Sequence, residues 1–152
     1  CLIFTQYIGM GKLLQYVFSE LYDLDVPFLT GSMPKQQRDH LVEAFQAGEF
    51  PIFILSLKAG GTGLNLTAAN HVLHADRWCN PAVENQATDR AYRIGQRQFV
   101  QVHKFVTLGT IEEKIDKLLE IKSALSEELI QSSKWITELD EAELKQLLTL
   151  EM

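Results

Sequence analysis

Short apolar runs rich in branched side chains alternate along this chain with longer stretches of helical spacing. The apolar runs are mostly continuous rather than alternating, which is typical of strands that are covered on both faces of a sheet. Five segments have this character and are predicted to be strands: Cys1–Thr5, Pro27–Thr30, Ile52–Ser56, His71–His74 and Val100–Val106.

Three segments between these strands place apolar residues at helical spacing, namely Met10–Leu24, Pro34–Ala47 and Pro81–Ile94. The second and third begin with a proline, which is favoured in the first turn of a helix. This order of elements predicts a three-layer α/β domain with a mainly parallel sheet. Ligands of such sheets bind at the carboxyl ends of the strands, so the loops there are the first candidates for a site.

The pattern changes after Gly109. Thr110 and Glu113 form a capping box at the start of a helix, and a second, more acidic amphipathic segment covers residues 137–150. We therefore predict an α/β domain over residues 1–109 and a helical extension over residues 110–152. The extension either packs on the sheet or braces another lobe of a longer protein. The prediction of a helical extension is supported by one stripe of residues at helical spacing: Ile111, Ile115, Leu118, Lys122, Leu125 and Leu129.

The length of 152 residues and the 46% hydrophobic content suit one globular domain with an appendage. No apolar run approaches the length of a membrane span. The chain begins inside an apolar run, at Cys1, so we expect it to be a piece of a longer protein. Cys1 and Cys79 have neither disulfide nor metal-site spacing, which indicates free thiols in a reduced, intracellular protein.

The net charge of −6 is concentrated in the extension. Residues 1–110 carry nine basic and nine acidic side chains, whereas residues 111–152 carry five basic and eleven acidic ones. A neutral domain can still contact a phosphate backbone through a few placed groups, but strong non-specific attraction to nucleic acid is not expected.

Two arginines, Arg90 and Arg93, lie three residues apart within the segment Gln86–Gln96. On the predicted helix both side chains leave the same face, and Gln86 shares that face. Such a pair suits the neutralisation of phosphates on a nucleotide that is held mainly by another unit. The alternative is a set of solvated surface ion pairs with Glu84 and Asp89.

A glycine-rich loop, Gly60-Gly61-Thr62-Gly63-Leu64-Asn65, follows the third predicted strand. Crowded glycines let backbone N–H groups approach a polyanion or a ribose, and Asn65 is placed to bond a sugar hydroxyl or to cap the next helix. The loop fails as a dinucleotide fingerprint, because Leu66 stands where the last glycine is needed. A flexible connection remains the alternative.

Groups that grip a triphosphate and its metal are not recognisable in the sequence. Gly11-Lys12 is followed by Leu13 rather than by the Ser or Thr of a phosphate-binding loop. The acidic run 140–143 lies inside the predicted acidic helix, with no buried strand before it. The four histidines have no ligand spacing, so we predict no metal site in this chain.

Taken in order, several segments resemble the C-terminal RecA-like lobe of a superfamily-two helicase-type motor, and most nearly the Swi/Snf family of DNA-translocating ATPases. The resemblance covers roughly residues 1–125 and includes the strand and helix of residues 102–115. The segments that carry it are Leu2–Gln6, Thr30-Gly31-Ser32 with Arg38, Leu55–Leu66, Asn80–Glu84 and Gln86–Gln96.

The resemblance implies that Arg90 and Arg93 are arginine fingers, which complete an ATP site shared with an N-terminal RecA-like lobe of the same polypeptide. That other lobe would hold the phosphates and Mg²⁺. Double-stranded DNA is the implied partner, with a DNA-bound protein complex as a further candidate. The resemblance places Gln86, Gly61, Gly63 and Asn65 on the nucleotide side of the cleft, and Gln6, Thr30, Gly31, Ser56 and Lys58 near the DNA.

The chain departs from the family pattern at two positions. Cys79 stands where the family commonly has a second Trp after Trp78, and Tyr92 stands where His is frequent. Two rival functions are a catalytically inactive interaction module with the same fold and a dinucleotide-binding oxidoreductase domain. The missing glycine at Leu66 weighs against the oxidoreductase.

Overall fold

Five parallel strands form one sheet in a computed structural model of the chain, which describes residues 1–57, 64–78 and 81–117. The sheet order is β2-β3-β1-β4-β5, with β1 at the centre. The elements in chain order are β1 (Leu2–Thr5), α1 (Ile8–Tyr22), β2 (Phe28–Leu29), α2 (Lys35–Gln46), β3 (Phe53–Ser56), β4 (His71–His74), α3 (Pro81–Thr88) and β5 (Gln101–Lys104).

The five predicted strands and the parallel sheet are confirmed. β1 pairs in parallel with both neighbours, so Leu2 lies opposite Phe53 on one side and opposite Val72 on the other. β1 and β3 are buried at every residue, which explains their continuous apolar sequences. The edge strand β5 differs from the prediction, because all four of its residues are exposed.

The three predicted layers are visible as two separate cores, one on each face of the sheet. Leu2 and Phe4 of β1 point to one face, where Phe45 of α2 and Ala87 of α3 join them. Ile3 points to the opposite face and packs in a second core with side chains from α1. Alternate residues of one strand therefore hold helices on both faces.

The helix α3 ends at Thr88, so the predicted helix over Pro81–Ile94 is six residues too long. After Thr88 the backbone tightens into turns, in which the N–H of Arg90 bonds the carbonyl of Ala87 at 3.3 Å. The carbonyl of Arg90 accepts a bond from the N–H of Leu66 at 3.0 Å. A partner distant in sequence thus takes the carbonyl that a longer helix would have used.

The helical extension begins as predicted. Residues 111–117 are helical, and the N–H of Glu112 donates to Thr110 Oγ1 at 3.2 Å. The Glu113 carboxylate accepts from the N–H of Gly109 at 2.8 Å, one residue before the predicted capping position. The remainder of the predicted stripe and the second amphipathic segment lie outside the described residues. Nowhere in the described ranges is a helix long and apolar enough to span a membrane.

The contact between α1 and β2 leads to a stability prediction at two glycines of α1. A Cβ on the buried Gly11 would overlap the ring of Phe28, whereas a Cβ on Gly9 would meet no atom within 4 Å. We expect Gly11→Ala to lower the free energy of unfolding by about 1–3 kcal/mol, because the ring must move.

Gly9→Ala is the matched control and should be neutral or stabilising by up to about 1 kcal/mol. Urea denaturation of both variants checks the pair. Equal effects of the two substitutions would contradict the packing described here.

Candidate functional site

Several of the described candidate residues lie at one edge of the sheet, because parallel strands bring their carboxyl ends together. Gln6 follows β1, Thr30 and Gly31 follow β2, and Ser56 is the last residue of β3. The segment 64–66 and the turn after α3 lie against each other, as the bond from Leu66 to Arg90 shows.

The two arginines lie on this turn and differ in exposure. Arg90 is buried, with 7% of its surface exposed, whereas Arg93 is exposed. Arg93 Nη1 donates to the carbonyl of Leu64 at 3.4 Å. The prediction that both side chains leave one face of a helix is therefore wrong, but both arginines still adjoin the segment 64–66.

Electrostatics make this turn receptive to an anion. Burial lowers the pKa of the Arg90 guanidinium, and the nearby positive charge of Arg93 lowers it further. A nearby anion would offset that repulsion. A planar guanidinium also matches the oxygens of a phosphate in a bidentate manner. The arrangement can therefore bind and stabilise negative charge.

Gln96 holds the arginine turn in place, a role that the sequence did not reveal. Its Nε2 donates to the carbonyl of Ala69 at 2.8 Å and to that of Ala91 at 3.1 Å. The N–H of Gln98 donates back to Gln96 Oε1 at 2.9 Å. One amide side chain thus ties the turn to the end of the 64–69 segment.

The other residues predicted on the nucleotide side are only partly placed. Asn65 and Gln86 are exposed, Asn65 in the segment that faces the arginine turn and Gln86 on α3. Gly61 and Gly63 lie outside the described residues. The structure therefore joins the two arginines and the segment of Asn65, and leaves the glycine-rich loop as a prediction.

Four of the five residues predicted near DNA lie at the carboxyl ends of strands. Gln6 Nε2 donates to the carbonyl of Arg77 at 3.2 Å, and the Thr30 and Ser32 hydroxyl oxygens are 3.2 Å apart. Gly31 is exposed. Ser56 is buried, with 2% exposure, so its side chain does not face solvent. Lys58 lies outside the described residues.

A buried carboxylate joins β1 to β4 at this edge. Asp76 accepts bonds from the Thr5 hydroxyl and from the N–H of Gln6, the latter at 3.0 Å. Burial raises the pKa of Asp76, and these two bonds oppose that rise. Asp76 therefore fixes the start of the loop after β1, which carries Gln6.

A charged cluster with a buried centre, consisting of Arg77, Glu84, Lys104 and Asp116, lies beside α3. Glu84 Oε2 pairs with Arg77 Nη1 at 2.9 Å and with Lys104 Nζ at 3.0 Å. Arg77 Nη2 pairs with Asp116 Oδ1 at 2.8 Å. The interpretation of Glu84 as a member of a solvated surface pair is wrong, because its side chain is 1% exposed. No periodicity in the sequence marks this cluster.

His74 is a structural histidine at the end of β4. It is fully buried, stacks on Phe4, and places Nε2 3.1 Å from Thr88 Oγ1. Burial lowers the pKa of His74 to about 4, chiefly because the charged form is poorly solvated. Across the described ranges, no group of three or more His, Cys, Asp or Glu residues could hold a metal ion.

Comparisons with known proteins agree with this fold. Residues 1–95 match the family described as "Helicase conserved C-terminal domain". The chain is 65% identical over 150 residues to the "Putative ATP-dependent helicase/translocase YwqA" of Bacillus subtilis (strain 168). The aligned region covers 99% of this chain and 16% of YwqA.

Two solved structures are also similar. The "Sulfolobus solfataricus SWI2/SNF2 ATPase core in complex with dsDNA" is 44% identical with a TM-score of 0.78, over 99% of this chain and 32% of that one. The "Sulfolobus solfataricus SWI2/SNF2 ATPase C-terminal domain" is 42% identical with a TM-score of 0.73, over 99% of this chain and 61% of that one.

The fold and the position of the site define a RecA-like α/β domain of the kind found in SWI2/SNF2 ATPases. The chain belongs to the helicase conserved C-terminal domain family, and its relatives are SWI2/SNF2-family ATP-dependent helicases. It spans only 16% of the length of YwqA.

The buried state of His74 predicts a pH dependence of stability. Its pKa of about 4 in the folded chain lies below 6.5, the ordinary value, so the unfolded chain takes up the proton first as the pH falls. This contribution is complete above about pH 6.5 and is lost as the pH falls toward 4.

We expect the wild-type chain to lose about 2 kcal/mol more than His74→Gln between pH 7 and pH 5. Urea denaturation at several pH values measures the difference, in which shifts common to both chains, such as that of Asp76, cancel. Parallel stability curves for the two chains would disprove the assignment.

Proposed function

We propose that this chain is the second motor lobe of an ATP-dependent double-stranded DNA translocase or remodeller. It supplies Arg90 and Arg93 to an ATP site that it shares with an N-terminal RecA-like lobe of the same polypeptide. The observation that carries this proposal is the arginine turn, which is tied to the segment 64–66.

The chemistry of phosphoryl transfer explains why such a pair is useful. Water attacks the γ-phosphate, the bond to the β-phosphate oxygen breaks, and negative charge spreads over the transferred group. Positive groups that are already fixed stabilise this charge without reorganisation of solvent. The buried Arg90 would anchor the turn, and the exposed Arg93 would extend across a cleft toward the other lobe.

ATP and Mg²⁺ belong to the complete site, with the metal held by the other lobe. This assignment is supported by the sequence at Gly11-Lys12, where Leu13 replaces the Ser or Thr that would hold the metal in a phosphate-binding loop. Asn65 and Gln86, with Gly61 and Gly63, would line the nucleotide side. The names of relatives as ATP-dependent helicases support the use of ATP.

Double-stranded DNA is the proposed second partner, and a DNA-bound protein complex is the proposed target. The structural relative solved with dsDNA supports the first of these. Because residues 1–110 are neutral overall, contact would depend on placed groups at the sheet edge, with Gln6, Thr30, Gly31 and Lys58 as candidates. The buried Ser56 would act by shaping its loop.

Cleft closure would convert hydrolysis into movement. When the two lobes close on ATP, the arginine turn would meet the γ-phosphate. The loops at the carboxyl ends of β1 and β2 would tighten on one DNA strand. Release of the products opens the cleft. Residues 1–109 would form the moving lobe, and residues 110–152 would form an extension that begins at the helix capped by Thr110.

The first test substitutes Arg93 in the complete protein. We expect Arg93→Ala to lower DNA-stimulated ATP hydrolysis by on the order of 10³-fold or more, with ATP binding largely retained, because an arginine finger acts on the transition state. Arg93→Lys should restore little, since the ammonium lacks the planar fork.

Arg97→Ala is the matched control, since Arg97 is an exposed arginine four residues further on, and it should stay near wild-type activity. Steady-state ATPase assays with and without duplex DNA measure all three variants. Full activity of Arg93→Ala would refute the arginine-finger role. An inactive wild type that still binds DNA would favour the interaction module.

A second test uses the 152-residue chain alone. It should hydrolyse no ATP above background, and addition of the N-terminal lobe should restore turnover, because the groups that hold the phosphates and Mg²⁺ are on that lobe. A phosphate-release assay at high protein concentration measures this. Measurable turnover by the pure chain would contradict the shared site.

A further inference from the structure

The charged cluster with its buried centre at Arg77 and Glu84 joins the start of the C-terminal extension to α3, the helix that precedes the arginine turn. We propose that Glu84 and Asp116 are positioning residues, which transmit the position of the 111–117 helix to Arg90 and Arg93. The inference rests on the proposed function, and it deepens that function by naming what places the arginines.

Glu84 is the centre of the cluster. Its carboxylate accepts from Arg77 Nη1 at 2.9 Å, from Lys104 Nζ at 3.0 Å, and from the N–H of Trp78 at 2.9 Å. These donors come from the loop after β4 and from β5. Because the carboxylate is buried and its donors converge from separate elements, α3 has a defined position relative to both strands.

Arg77 connects α3 with the extension. One end of its guanidinium pairs with Glu84, and the other end pairs with Asp116 at 2.8 Å. The Glu112 carboxylate also lies 3.5 Å from the N–H of Arg77. A planar guanidinium cannot bend between its two partners, so a shift of the 111–117 helix must move Arg77 and its contact with Glu84.

Hydrogen bonds continue this path from Glu84 to the arginines. The Thr88 hydroxyl donates to the carbonyl of Glu84 at 3.1 Å and lies 3.1 Å from His74 Nε2. Two residues later, the N–H of Arg90 donates to the carbonyl of Ala87, and the carbonyl of Arg90 accepts from the N–H of Leu66. A short helix fixed at both ends therefore places the arginine turn.

The balance of charges favours a positioning role over a stabilising one. Two cations and two anions neutralise each other, and a buried ion pair contributes little net stability compared with apolar packing. Directional contacts do, however, allow one geometry only, whereas apolar surfaces can slide. Arg77 and Glu84 are almost completely buried, while Asp116 is 32% exposed and can be changed with less risk to folding.

The test therefore changes Asp116 in the full-length parent protein. Asp116→Asn should lower kcat for DNA-stimulated ATP hydrolysis by about tenfold to a hundredfold, as expected when a catalytic group is slightly displaced, with the KM for ATP unchanged. Asp116→Glu should restore most of the loss. Glu113→Gln is the matched control, because it removes from the same helix a carboxylate that pairs with Lys117 and lies outside the cluster, and the amide keeps an acceptor for the N–H of Gly109.

Hydrogen exchange supplies a readout that needs no ATPase activity. The amide of Leu66 bonds the carbonyl of Arg90, so Asp116→Asn should accelerate its exchange by about tenfold or more. The exchange rate of the Ile54 amide should be unchanged. This amide lies in β3 and bonds the carbonyl of Pro27, just before β2. Glu113→Gln should leave both amides as in the wild type.

Slower turnover at constant KM, faster exchange at Leu66 and recovery in Asp116→Glu together support the proposal. An unchanged exchange rate at Leu66 overturns it, and so does an unchanged kcat. Equal acceleration of exchange at Ile54 also overturns it, because that result would mean general destabilisation. Failure of the proposed function has a different signature, namely wild-type turnover that survives Arg93→Ala. The comparison of exchange at Leu66 and Ile54 tests the link between Asp116 and the arginine turn whether or not the proposed function is correct.

Discussion

The parallel register of β1 between β3 and β4 is the constraint on which the rest of the molecule depends. Because all five strands are parallel, the loops that carry Gln6, Thr30 and Gly31 leave the sheet at one edge. The carboxylate of Asp76 then joins the ends of β1 and β4 through Thr5 and Gln6. The sheet thus concentrates loops of different origin into one surface, and buried polar contacts fix their relative positions.

Buried charge occurs in two settings in this molecule. Burial and the nearby charge of Arg93 lower the pKa of the Arg90 guanidinium. Arg77 and Glu84, in contrast, lie beside opposite charges, because they pair with each other and Arg77 also pairs with Asp116. Such directional pairs specify geometry more than they add stability.

Most of the fold was predictable from local pattern, whereas the candidate site was predictable only in part. The strands were found because a buried parallel strand needs a continuous apolar sequence. The end of α3 was missed because the bond between Leu66 and Arg90 joins residues far apart in sequence. Glu84 was placed on the surface because helical spacing indicates a face but not what covers it. The exposed edge strand β5 was also unforeseen.

The amino-acid sequence alone determined the alternation of strands and helices, the neutral domain with its acidic extension, and the two arginines close together in the chain. These properties follow from side-chain periodicity and composition, which are local. Only the tertiary structure decided that Arg90 is buried while Arg93 is exposed, and that Arg77 bridges α3 to the 111–117 helix. Burial and ion pairing depend on which segments distant in sequence come into contact. The packing of the helices on the sheet determines those contacts.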